Sequence, residues 1–81
     1  MADVEVKSPI PGTFNRSPAP GEAPFVSVGQ NVTADTVIGS VELMKQFNEV
    51  VAGVDGMLTS FAIADAEAVD SDTVLAIVST N

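Results

Sequence analysis

Residues 41–50 read Val41-Glu42-Leu43-Met44-Lys45-Gln46-Phe47-Asn48-Glu49-Val50, and the way this stretch folds decides the architecture. Glu, Leu, Met, Lys and Gln are strong helix formers. Leu43, Phe47 and Val50 recur at i, i+4 and i+7, the spacing of one helical face. Yet a helix here is short, uncapped and enclosed by strand-like runs, and such helices are marginal. The alternative is a hairpin turning at Met44-Lys45, which sets Glu42 opposite Phe47 and Val41 opposite Asn48. Met-Lys suits such a turn poorly. Tight hairpins prefer Asn-Gly, Asp-Gly or Gly-x, whose residues accept positive φ; the penalty is about 1 kcal/mol or more. Pattern alone leaves both readings open, with a slight balance toward the hairpin. A lone lysine at a strained turn marks a place where function overrules propensity.

Working outward, the flanking segments recur. Val32-Thr33-Ala34-Asp35-Thr36-Val37-Ile38 is followed 37 residues later by Val69-Asp70-Ser71-Asp72-Thr73-Val74-Leu75. Ser8-Pro9-Ile10-Pro11-Gly12-Thr13-Phe14 is matched at an offset of 44 by Ala52-Gly53-Val54-Asp55-Gly56-Met57-Leu58. The chain therefore reads as two similar halves of an all-β fold, with Lys45 at their junction. The offsets differ by seven residues, so the first half carries an insertion between Phe14 and Val32. It holds Pro18, Pro20 and Pro24, which neither complete strand hydrogen bonding nor continue a helix. A stiff projecting loop is expected over 16–24. Most Pro-rich loops are only connectors; its presence in one half alone favours a specific use.

The remainder reads as short strands. Val4 and Val6 alternate with Asp3, Glu5 and Lys7; further strands are expected over 36–43, 47–52, 57–63 and 73–78. Turns fall at Pro11-Gly12, Gly29-Gln30-Asn31, Asp55-Gly56 and Asp70-Ser71-Asp72. Asp55-Gly56 is a hairpin-type dipeptide. Gly12 and Gly56 read as turn glycines, and Phe14, Phe25, Phe47 and Phe61 as core.

At 81 residues the chain makes one small domain, 1–81, with a modest core and little room for a deep catalytic cleft. Neither Cys nor His occurs, which removes thiol and imidazole chemistry. No nucleophile–base pair, Ca²⁺ loop or phosphate loop is visible, so a free-standing enzyme is not expected. Three basic residues stand against eleven acidic ones, a net charge of −8. That excludes nucleic acid, whose phosphates need Lys or Arg, and disfavours an anionic membrane surface. An acidic surface suits docking into basic sites, although solubility alone explains it too. With no membrane-spanning run and no signal-peptide pattern, a cytoplasmic protein is expected.

The ordered segments carry a family resemblance. Glu42-Leu43-Met44-Lys45 resembles the Glu-Ala-Met-Lys-Met attachment motif of biotin carboxyl carrier proteins. Ser8-Pro9-Ile10-Pro11-Gly12-Thr13-Phe14 resembles that family's Ser-Pro-Met-x-Gly-Thr-Phe run, and Phe25-Val26-x-Val28-Gly29-Gln30-x-Val32 matches its next segment. Residues 17–24 resemble the thumb of acetyl-CoA carboxylase carriers. The similarity covers residues 4–78. Leu43 departs from the family's Ala, and Gln46 from its second Met.

The resemblance implies an all-β flattened barrel, a sandwich of two four-stranded antiparallel sheets related by a pseudo-twofold repeat. It implies an attachment lysine on a hairpin turn and a projecting thumb. It implies covalent biotin on Lys45, attached by a biotin protein ligase that recognises Met44 and Glu42. Ser17, Pro18, Ala19, Pro20, Gly21 and Glu22 would contact the biotin or a partner. A biotin carboxylase and a carboxyltransferase would be those partners, and the domain itself would carry carboxybiotin without catalysing either step. Two rivals stand beside this reading. A lipoyl carrier has a similar barrel, but its attachment core is Asp-Lys-Ala and it lacks the thumb. An unmodified β-barrel interaction module would need no attachment at all.

Overall fold

The computed structural model describes residues 2–19 and 21–80. Eight strands are found among them: β1 (Ala2–Lys7), β2 (Gly12–Asn15), β3 (Asn31–Val32), β4 (Val37–Leu43), β5 (Gln46–Val51), β6 (Gly56–Phe61), β7 (Glu67–Val69) and β8 (Val74–Thr80). They form two antiparallel four-stranded sheets, ordered β1-β8-β6-β3 and β5-β4-β2-β7. Replacing each strand by its mate four places along, β1 by β5 through β4 by β8, turns the first order into the second. The halves are thus interlaced, each giving two strands to each sheet.

The two sequence offsets reappear in the core. Val6 and Val50, and Phe14 and Leu58, are buried pairs at the offset of 44; Val32 and Val69, Ile38 and Leu75, and Val41 and Val78 are buried pairs at 37. These side chains interdigitate between the sheets, each contributing roughly 1.5–3 kcal/mol when fully buried. Loop hydrogen bonds repeat as well. Ser8 N donates to Thr73 O, and its mate Ala52 N donates to Thr36 O, both at 2.9 Å. Ala66 N donates to Phe14 O, and Gly29 N to Leu58 O, both at 2.7 Å.

Gly12 and Gly56 open strands β2 and β6, so the expectation of turn glycines is corrected. Each lies against a central strand. A Cβ on Gly12 would strike the carbonyl oxygen of Glu42 and come within 2.8 Å of Val41 Cγ1; on Gly56 it would strike that of Ser79 and come within 2.9 Å of Val78 Cγ1. Asp55-Gly56 is not a hairpin either, because β5 and β6 belong to different sheets. The Asp55 carboxylate instead accepts from Ala34 N at 2.9 Å, tying two loops together. Phe14 is fully buried, Phe25 and Phe61 are half-buried, and Phe47 is 61% exposed, which corrects its assignment to the core.

Residues 42–50 form a hairpin and no helix. Leu43 pairs with Gln46, Glu42 with Phe47 and Val41 with Asn48, the register the hairpin reading requires. The symmetry mate of the Leu43–Gln46 pair is Thr80 with Ala2.

Candidate functional site

Met44 and Lys45 are the central residues of the turn between β4 and β5, with φ of +52° and +65°. Two successive positive φ values define a type I′ turn, whose twist matches that of the flanking strands. Neither residue is glycine, so the left-handed conformation is held at a steric cost by the pairing of β4 with β5. The turn lifts both side chains into solvent. Met44 is 87% exposed and Lys45 is exposed. Among the described residues the one ion pair is Lys7 with Glu5, at 4.0 Å. The Lys45 amine therefore has no carboxylate partner there and is free to be approached from the front.

Behind the tip, Glu42 is half-buried in the middle of its sheet. It lies between Thr13 of β2 and Phe47 of β5, and its side chain looks into an open cleft of about 560 Å³. Asn15, Ser17, Pro18, Ala19, Gly21, Glu42, Phe47, Asp65 and Ala66 line that cleft. Its roof is the insertion found in the sequence. A hydrogen bond from Phe25 N to Arg16 O, 2.9 Å long, pinches the base of the inserted loop. Asp65 Oδ1 accepts from Arg16 N at 2.7 Å, and the Arg16 guanidinium stacks 3.9 Å from the Phe61 ring centroid. The loop is therefore anchored to the β6–β7 connection and projects from a fixed base.

Of the residues singled out from sequence, Ser17, Pro18, Ala19 and Gly21 converge with Glu42 on this cleft. Glu22 is exposed outside its lining, and Pro20 lies outside the described residues. Met44 and Lys45 stand at the tip beside the cleft. Sequence reasoning did not identify Asn15, Phe47, Asp65 and Ala66 as lining residues. Phe47 was within reach, since the hairpin register already put it opposite Glu42. Asp65 and Ala66 come from a connection far along the chain, with no local signal.

An exposed amine raised on a β-sandwich, beside an open cleft, is a group that a second protein can reach without unfolding the domain. No group of three or more metal-ligating side chains occurs among the described residues. The sequence matches the family described as "Biotin-requiring enzyme" over residues 4–78, and the chain belongs to that family. It is 44% identical over 73 residues to a biotin carboxyl carrier protein of acetyl-CoA carboxylase, chloroplastic, from Glycine max, covering 90% of this chain and 28% of that protein. The Nostoc sp. biotin carboxyl carrier protein of acetyl-CoA carboxylase is 42% identical over 66 residues, covering 82% of this chain and 36% of its own. That of Haemophilus influenzae is 40% identical over 73 residues, covering 90% and 47%. The chain thus spans less than half the length of these relatives. The fold is similar to part of the Kluyveromyces lactis urea carboxylase, with a TM-score of 0.79, 20% identity, 98% of this chain and 6% of that one.

Covalently attached biotin is the cofactor this family implies. The residues present fit it: a primary amine without an ion-pair partner among the described residues, on an exposed turn, next to a cleft large enough for a small bicyclic ring.

Proposed function

We propose that this chain is the carrier domain of a biotin-dependent acyl-CoA carboxylase, of the acetyl-CoA carboxylase type, with biotin amide-linked to Nζ of Lys45. The observation that carries the reading is the exposed lysine at the second position of a two-residue I′ turn. A ligase can enclose such a tip without unfolding anything. Met44 offers it a soft apolar contact, and Glu42 a carboxylate behind the turn. The Lys45 amine attacks the acyl carbon of biotinyl-adenylate; the C–N bond forms, the bond to AMP breaks, and AMP leaves with the electron pair. The attacking amine must give up a proton as the amide forms, and the ligase side takes it. The formal charge of the described sequence goes from −8 to one unit more negative.

When attached, biotin supplies a ring nitrogen that takes a carboxyl group from bicarbonate at an ATP-dependent biotin carboxylase and yields it to an acyl-CoA at a carboxyltransferase. This chain's contribution is tethering, which holds the ring near each partner at roughly millimolar effective concentration. It catalyses neither step. Ser17, Pro18, Ala19 and Gly21 give the tethered ring a resting place under the thumb, and Glu22 faces outward toward partners. The acyl acceptor is assigned as acetyl-CoA from the names of the relatives. A cytoplasmic setting is part of the same proposal; the relatives named above include a chloroplastic protein. No helix among the described residues is long and apolar enough to cross a membrane.

Co-expression with a biotin protein ligase tests the reading. Intact mass should rise by one biotinyl group, tryptic mapping should put it on Lys45, and Lys45→Arg should remain unlabelled. A wild-type domain that takes no biotin, or takes lipoyl from a lipoate ligase instead, would overturn it.

A further inference from the structure

Two of the side chains lining the cleft are carboxylates, Glu42 and Asp65, and none is basic. Arg16, which stands in the chain between the lining residues Asn15 and Ser17, forms no ion pair with either carboxylate. Its guanidinium is stacked over Phe61 at 3.9 Å, and it reaches Asp65 through its backbone N–H alone. Lys45 beside the cleft loses its positive charge once its nitrogen becomes an amide. The modified domain therefore presents a partly apolar slot, walled by Phe47, Pro18 and Ala19, whose lining carries two carboxylates and no basic side chain.

Phe47 is two residues from Lys45, roughly 7 Å at strand spacing, within reach of the lysine's four-carbon stem once the biotinyl chain extends it. The tethered ring can therefore lie in the slot. An uncharged ureido ring has no electrostatic objection to it. The same ring bearing a carboxylate would bring an anion into a cleft lined by Glu42 and Asp65, and like charges brought close together repel.

We propose that Glu42 and Asp65 make the cleft a charge-selective rest: it holds the arm when the ring is neutral and ejects it when the ring is carboxylated. This rests on Lys45 being the attachment site. The empty carrier then waits in a sheltered position, and the loaded one is released toward the next active site. Glu42 is thereby a specificity-determining residue, in addition to any part in ligase recognition, and Asp65 is one that sequence reading gave no reason to notice.

The test uses the ¹⁵N-labelled holo domain, confirmed by intact mass to carry one biotin on Lys45. Backbone amide shifts of Asn15, Ser17 and Gly21 are recorded for the apo form, for the biotinylated form, and during steady carboxylation by biotin carboxylase with ATP and ¹³C-bicarbonate. Biotinylation should move these amides, and carboxylation should return them toward their apo positions. In Asp65→Asn, whose amide oxygen still accepts from Arg16 N, and in the double variant with Glu42→Gln, the amides should keep their holo positions after carboxylation. The docked population of the carboxylated form should be about tenfold higher there than in wild type. If Lys45 takes no biotin, the attachment reading fails. If it is biotinylated but the cleft amides do not respond, or respond equally to both ring states, the charge-selective rest is overturned. Release that persists in the double variant overturns it as well.

Discussion

Gly12 packs so closely against the backbone carbonyl of Glu42 that no side chain fits between them. The contact couples the start of β2 to the strand that ends at the lysine turn, and it recurs between Gly56 and Ser79. Gly12→Ala should therefore push β2 away from β4. A loss of about 1–3 kcal/mol, typical of overpacking, should appear as a lower urea midpoint with an unchanged slope. Gly56→Ala should give a loss of similar size, since its surroundings are the same in kind.

The Met44-Lys45 turn holds two non-glycine residues at positive φ, and Asn tolerates that region better than Met. Met44→Asn should stabilise the domain by about 0.5 kcal/mol, a rise in Tm of about 2–4 °C for a domain of this size. The same variant should be labelled more slowly by a biotin ligase. Thermal denaturation and initial labelling rates check the two halves of this trade.

Two phenylalanines of opposite burial should behave oppositely. Phe14, fully buried against Gly39 and Phe61, should cost about 3–5 kcal/mol on replacement by Ala, most or all of the stability of a small domain. Phe47, 61% exposed, should cost no more than about 0.5 kcal/mol. Chemical denaturation of the pair distinguishes core from cleft wall.

Arg16 should be the pin of the thumb. Arg16→Met keeps an apolar stem but removes the cation above Phe61, a contact worth about 0.5–1 kcal/mol. Exchange of the Phe25 amide, which donates to Arg16 O, should quicken severalfold, while that of Val41 in the centre of β4 stays unchanged. Hydrogen exchange followed by NMR reads both at once.

Much of this architecture is legible in the residues because the fold is repeated. The offsets of 44 and 37 recover the buried pairs from Val6–Val50 to Val41–Val78, since symmetry-related positions face the same surroundings. The cross-strand partners Glu42–Phe47 and Val41–Asn48 follow from geometry once the turn is placed. What local pattern does not settle is the turn itself, where helix-forming residues occupy a left-handed conformation imposed by the pairing around them. Strands β3 and β7, two and three residues long, are too brief to show alternation. Phe47 reads as core because size and hydrophobicity do not reveal that the outer face of its sheet stays wet. Asp65 joins the cleft only through the tertiary meeting of β2 with the β6–β7 connection, which no neighbouring residue announces.

Because each half of the chain threads strands through both sheets, neither half encloses a core by itself. Cutting the backbone at the turn should leave two fragments that are unfolded apart and regain structure only on mixing. The same knitting leaves no separate lobe to peel away, so a load applied at the turn is shared across both sheets.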